Sequence, residues 1–215
     1  MSARRLPPRL LALTPGDLGP PAIAPFLERL RRAIEGGLRG VLVREPALSE
    51  REFERLARSV RDALAPCGGW LGIHDRAHFA LALGADALHV GFRSLPPAAA
   101  RDLLGPGPSL GLSAHAGDDP HAWLAADYLF FGPVFETPSK QGWRGPVGLA
   151  GLADAVGSSA VPVWAIGGIT PERAREVLAA GARGVAVRAA LLGAGDPREA
   201  ALRFEASLAD TIPGR

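Results

Sequence analysis

Short apolar runs alternate along the chain with stretches of helical periodicity. Leu10-Leu11-Ala12-Leu13 stops at Thr14-Pro15-Gly16-Asp17, and Ile23, Leu27, Leu30 and Ile34 then recur at helical spacing up to Gly36-Gly37. The same order follows at Gly40-Val41-Leu42-Val43, where Arg44-Glu45-Pro46 ends the run. Ser49 and Glu52 next form a capping box ahead of a face made by Phe53, Leu56, Ala57, Val60, Ala63 and Leu64. Further runs lie at Trp70 to Ile73, Ala87 to Val90, Ser109 to Leu112, Tyr128 to Phe131, Val161 to Ile166 and Gly184 to Val187. A final helix is expected from roughly Pro197 to Leu208, with a frayed tail after it.

Small residues precede several of these runs, as in Gly84-Ala85-Asp86-Ala87-Leu88-His89-Val90 and Gly181-Ala182-Arg183-Gly184-Val185-Ala186-Val187. Such a junction stops a helix, turns tightly and enters a strand buried on both faces, which is what a parallel sheet requires. Eight units of this kind predict an α/β fold, a single (β/α)8 TIM barrel spanning residues 1–215 as one domain. A doubly wound open sheet shares the local grammar, and the strand count argues against it.

Composition narrows the function. The net charge is +2, no Lys/Arg run exceeds two residues and aromatics are few, so no nucleic-acid partner is expected. No apolar run is long enough to span a membrane, and the N-terminal residues lack the apolar stretch of a signal peptide, so a cytoplasmic location without membrane association is expected. The single cysteine, Cys67, excludes an internal disulfide and a multi-thiolate metal site, and its Pro-Cys-Gly-Gly setting reads as a loop thiol. A homo-oligomer is left open.

In barrels of this type the chemistry sits where strands end. The candidates are Arg44-Glu45 after the second run, His74-Asp75 after the third and Phe92-Arg93-Ser94 after the fourth. Ser113 and His115 follow the fifth, Glu136-Thr137-Pro138-Ser139-Lys140 the sixth, Gly167-Gly168 the seventh and Arg188 the eighth. Gly167 and Gly168 let backbone N–H groups approach an anion, and a short helix start after the eighth strand adds more, with Arg188 as a charge-assisted contact. A small phosphorylated substrate is expected there.

Lys140 is the sole lysine among 24 basic side chains, and it stands in a loop where a titratable cation is useful. His89, inside a strand, reads as a packed and hydrogen-bonded core residue, whereas His78 and His121 read as helix-surface positions. His115 suits either an acid–base role or loop anchoring. Strand neighbours point opposite ways, so only one of His74 and Asp75 need face the mouth, and Asp75 is the favoured one.

These residues resemble the family of thiamine phosphate synthase and its relative TenI, the thiazole tautomerase. The resemblance runs from Leu10 to Leu208. It is carried by Val43-Arg44-Glu45, His74-Asp75-Arg76, Gly84 to Gly91, Ser113-Ala114-His115, Ala126 to Lys140 and Ala165 to Ile169. It implies a barrel holding a thiazole phosphate in the loops containing Gly168 and Ala189. In the synthase the thiazole nitrogen displaces pyrophosphate from a hydroxymethylpyrimidine pyrophosphate. The groups matching its site are Arg44, Asp75, Ser113, Thr137, Ser139 and Lys140.

Three positions depart from the synthase pattern: Pro46 stands for a lysine, His74 for an asparagine and Ser94 for a second metal-binding aspartate. On these grounds the sequence is read as a TenI-like tautomerase needing no cofactor. Thiamine phosphate synthase is the alternative, with Mg2+ required, and Asp75 its ligand, only in that case. A non-catalytic phosphate-binding barrel is the third reading. TenI's histidine corresponds to Pro133, so the tautomerase reading assigns proton transfer to His115, Lys140 or Glu45. Whether Arg93 or Arg188 stands in for the missing lysine is left open.

Overall fold

The computed structural model describes residues 4–137 and 145–209. Eight parallel strands close in sequence order, the first pairing with the last. They are β1 Leu10–Leu13, β2 Gly40–Val43, β3 Trp70–His74, β4 Ala87–Val90, β5 Ser109–Ala114, β6 Tyr128–Phe131, β7 Val163–Ile166 and β8 Gly184–Val187. Around them run α1 Ile23–Glu35, α2 Glu50–Leu64, α3 Ala77–Ala82 and α4 Pro97–Leu104. A 3-10 helix, Pro120–Ala125, replaces a helix between β5 and β6, and α5 Gly148–Ser158, α6 Pro171–Ala179, α7 Ala189–Leu192 and α8 Pro197–Ala209 complete the ring. The barrel expected from the apolar runs is therefore the fold. The seventh strand starts at Val163 rather than Val161, because the Ser159 hydroxyl accepts the Val161 N–H and donates to its carbonyl, closing a turn there.

Alternation along each strand separates two cores. Leu88, Val90, Leu110, Leu112, Leu129 and Phe131 face the helices, while Leu11, Leu42, Trp70, Tyr128, Phe130 and Trp164 fill the barrel. Large interior rings need small partners in the same layer. A Cβ on Gly111 would lie 2.2 Å from Tyr128 Cζ, and one on Gly72 would lie 2.6 Å from the Trp70 ring. These two glycines admit the aromatic side chains that make the interior a packed core.

The N-terminal end of the barrel is closed by the segment before β1. Trp70 Nε1 and the Ser109 hydroxyl both donate to the Arg5 carbonyl, and Trp164 Nε1 donates to Pro8. The aspartates of the repeated junctions lock neighbouring strands from below. Asp86 accepts Leu71 N–H at 2.8 Å and pairs with Arg5. Asp127 accepts Leu110 N–H at 2.7 Å and pairs with Arg4 and Arg101. The opposite end of the barrel is the mouth.

Candidate functional site

Thr14 and Arg44 join the first two strand ends: the Thr14 hydroxyl donates to the Arg44 carbonyl at 3.1 Å and accepts the Arg44 N–H at 2.8 Å. The Arg44 side chain is exposed and close enough to Asp75 for its charge to act there. Glu45 departs from expectation. It is 2% exposed, and its two carboxylate oxygens accept the N–H groups of Gly16 and Leu18, each at 2.8 Å. A sealed carboxylate that already satisfies two backbone donors holds the β1–α1 loop, and the proton-transfer role expected of Glu45 does not suit this geometry.

The third and fourth strand ends build a polar cluster of His74, Asp75 and Ser94. Asp75 has φ of 63°, and it is the one non-glycine residue described with positive φ. Aspartate tolerates that left-handed backbone better than most residues. The turn swings its side chain back beside its neighbour, so His74 Nδ1 lies 3.0 Å from Asp75 Oδ2. Strict alternation, which sends only one of the pair to the mouth, stops applying where the strand ends. Ser94 donates its hydroxyl proton to Asp75 Oδ1 and accepts the Gly91 N–H at 2.6 Å. Partial burial pushes the Asp75 carboxyl up, but hydrogen bonds from His74 and Ser94 and the charges of His74 and Arg44 outweigh it, leaving the carboxyl below its ordinary value. Among the described residues His74 Nε2 has no hydrogen-bond partner.

The fifth strand end carries Ser113, whose hydroxyl is 2.9 Å from Nε2 of the fully buried His89. His115 is 6% exposed; its N–H donates to Asp118 Oδ2 at 2.7 Å, and its Nδ1 is 3.7 Å from the same oxygen. Of its two expected roles, this arrangement supplies loop anchoring. Thr137 is half-buried, while Ser139 and Lys140 lie outside the described residues.

Across the mouth, Gly167 and Gly168 have φ of 99° and 65°. Side chains there would strike the loop after β6: a Cβ on Gly167 would sit 2.6 Å from Pro133, and one on Gly168 2.4 Å from the Glu136 carbonyl. The carbonyls of Ile166, Gly167 and Gly168 accept from Val134 N–H, Phe135 N–H and the Arg173 guanidinium. What the turn has left to offer a ligand is its N–H side. Ala189 opens α7 and is exposed, as the anion-binding expectation requires. The Arg188 guanidinium donates to the Pro15 carbonyl at 3.0 Å, tying the eighth strand end to the first. Arg93 lies over the Phe92 ring, 5.2 Å from its centroid, and that ring is 66% exposed.

A family model described as thiamine monophosphate synthase, TMP-TENI, matches residues 13–191. The chain belongs to this family. A thiamine-phosphate synthase of Moorella thermoacetica is 41% identical over 182 residues, covering 84% of this chain and 87% of that protein. One of Albidiferax ferrireducens is 44% identical over 174 residues, covering 80% of each. Among solved structures, the thiamine phosphate pyrophosphorylase of Pyrococcus furiosus superposes with a TM-score of 0.82 at 31% identity, covering 94% of this chain and 96% of that one.

Membership of the thiamine monophosphate synthase family raises the question of a metal. The cluster at the third and fourth strand ends offers one carboxylate, Asp75, whose neighbour Ser94 supplies a neutral hydroxyl. Among the described residues no group of three His, Cys, Asp or Glu side chains could hold a metal ion. That donor set does not make a resident metal centre. It fits a Mg2+ ion that arrives on a pyrophosphate and takes one protein carboxylate, a common mode for that ion.

Two residues of the site are weakly signalled in the sequence. His74 was passed over in favour of Asp75, although alternation from Trp70 through Gly72 turns it to the barrel side, and the left-handed backbone of Asp75 brings the two together. His89 was placed in the core correctly, but periodicity reveals which side of a strand a residue faces and not which group it meets.

Proposed function

We propose that this chain is a thiamine-phosphate synthase, joining a hydroxymethylpyrimidine pyrophosphate to a thiazole phosphate. The observation that carries the reading is the 41% identity to a relative of that name over 84% of the chain. The placing of Arg44, Asp75 and Ser113 at the ends of β2, β3 and β5, on the same end of the barrel as the Gly167-Gly168 turn, supports it. The thiazole nitrogen forms a bond to the pyrimidine methylene carbon while the carbon–oxygen bond to pyrophosphate breaks, and the departing oxygen keeps the electron pair. Nothing is oxidised and no net proton moves.

The protein's task is to orient two rings and stabilise the leaving anion. Arg44 supplies a cation, Ser113 a hydroxyl and Asp75 a ligand for the Mg2+ carried by the pyrophosphate. Backbone N–H groups of Gly168 and Ala189 take the thiazole phosphate. Lys140 adds a titratable charge, and Lys140→Ala is expected to lower turnover tenfold or more. The test is incubation of purified protein with both substrates and Mg2+, with thiamine phosphate followed by its fluorescent oxidation product. Steady accumulation supports the reading. No product while the thiazole phosphate binds overturns it.

The His74–Asp75 pair favours a second reading, the TenI-like tautomerase. A carboxylate that orients one imidazole nitrogen leaves the other as a proton acceptor, an arrangement suited to shifting a proton on a bound carboxythiazole phosphate. Synthesis has no use for such a group. Proton NMR of the non-aromatic tautomer with protein alone discriminates the two, since aromatisation without the pyrimidine substrate requires the tautomerase.

A further inference from the structure

One buried group is not needed by either reaction. In β4, Ala87 and His89 face the barrel interior while Leu88 and Val90 face the helices. The His89 ring is fully buried, 4.2 Å from the Phe130 ring centroid and 5.6 Å from that of Tyr128. Its Nδ1 is 3.3 Å from the Tyr128 hydroxyl and its Nε2 is 2.9 Å from the Ser113 hydroxyl. Gly111 makes the meeting possible, because a Cβ there would lie 2.4 Å from Nδ1.

The direction of these hydrogen bonds follows from counting protons. Burial pushes His89 well below its ordinary value, so the ring is neutral, with one N–H and one lone pair. Burial, together with Asp127, pushes the Tyr128 phenol well above its own, so the phenol keeps its proton. Among the described residues the only hydrogen-bond partner of that hydroxyl is His89 Nδ1. If Nδ1 carried the hydrogen, the phenol proton would be buried without an acceptor, which is costly. With the phenol donating to Nδ1, the imidazole hydrogen sits on Nε2 and is donated to Ser113. Ser113 then has its own proton to spare, and His89 is its one partner among the described residues.

We propose that the interior Tyr128–His89 pair acts as a positioning relay, fixing the Nε2–H tautomer so that the partly exposed Ser113 hydroxyl is a hydrogen-bond donor aimed at an anionic oxygen in the mouth. The proposal rests on the reading that a phosphorylated substrate binds there, and it reaches further by assigning a polarity to Ser113. The tautomer itself does not depend on that reading. A hydroxyl committed as a donor favours a pyrophosphate or phosphate oxygen, whereas in the opposite tautomer its proton would be spent on His89.

Long-range 1H–15N correlation spectra of 15N-histidine-labelled protein, with the His89 signals identified by their loss in His89→Asn, read the tautomer directly and without ligand. The expected result is a neutral ring protonated at Nε2; a ring protonated at Nδ1 overturns the relay. Inorganic pyrophosphate with Mg2+ is the binding probe. Tyr128→Phe is expected to weaken its affinity about fivefold in the wild-type background and to have no further effect in Ser113→Ala. An equal loss in both backgrounds overturns the relay and leaves Tyr128 as packing. Where pyrophosphate binds to neither protein, the functional reading fails while the tautomer still decides the relay. The spectra of the unsubstituted protein stand even if Tyr128→Phe does not fold.

Discussion

The two ends of the barrel use the same kinds of side chain in opposite ways. At the N-terminal end, Asp86 spends its oxygens on a strand N–H and one arginine and Asp127 on a strand N–H and two, and the indole and hydroxyl donors of Trp70, Trp164 and Ser109 close onto the segment before β1. At the mouth, His74 keeps a ring nitrogen without a partner among the described residues and Asp75 remains half exposed. Ser113 has a proton to give. Polar groups that have exhausted their partners hold a fold; polar groups with capacity left over can bind a substrate.

That contrast can be broken from either end, and the largest effect is expected below. Asp127→Ala removes the acceptor for the Leu110 N–H and the partner of the mostly buried Arg101, and should cost about 3 kcal/mol in urea unfolding. The affinity of the folded protein for a phosphate ligand should stay within about twofold. A stability change under about 1 kcal/mol would remove Asp127 from the structural side. Asp75→Asn should do the reverse. Asparagine tolerates the left-handed backbone, so stability should move by less than about 1 kcal/mol, while turnover should fall about 100-fold, equivalent to about 2.7 kcal/mol of barrel-mouth chemistry. Unchanged turnover would displace Asp75 from the site.

Glu45→Gln tests a residue located at the mouth but bonded like one at the base. The amide can accept only one of the Gly16 and Leu18 N–H groups, and a stability loss of about 1–2 kcal/mol is expected, with turnover affected far less. A hundredfold loss of turnover at unchanged stability would restore its proton-transfer role. The smallest effect concerns pH. Because the folded-state Asp75 carboxyl sits below its ordinary value, its contribution to stability is present above the unfolded-state value and fades as pH falls through the folded one. Half exposure keeps that contribution small. The acid limb of a stability–pH curve should be slightly shallower in Asp75→Asn than in the wild-type protein.

The barrel was legible because its signal is repeated. Apolar runs such as Tyr128 to Phe131 and Gly184 to Val187 coincide with strands, and the Ser49–Glu52 capping box begins α2 as its spacing predicts. The strand-end rule also identified Arg44, Asp75, Ser113 and the Gly167-Gly168 turn as neighbours of one mouth. What stayed hidden depends on contacts between distant parts of the chain. Nothing local to Glu45 tells that Gly16 and Leu18 will seal it. The aspartates of the repeated junctions read as turn residues, and only the closed barrel reveals them as clamps between strands. His74 was missed because a periodic rule was extended one residue past the end of the strand that obeys it.

The pairing of β1 with β8 also bears on how the protein comes into being. A ribosome releases β1 early and β8 late, so until the last strand emerges the growing sheet carries two open edges, each a row of backbone groups that another chain could template. Arg9, just before β1, waits longer still, since its guanidinium donates to the Leu208 carbonyl in α8. A nascent chain halted before β8 would be sticky at both edges. Closing the ring therefore ends the period in which this protein is most vulnerable to self-association.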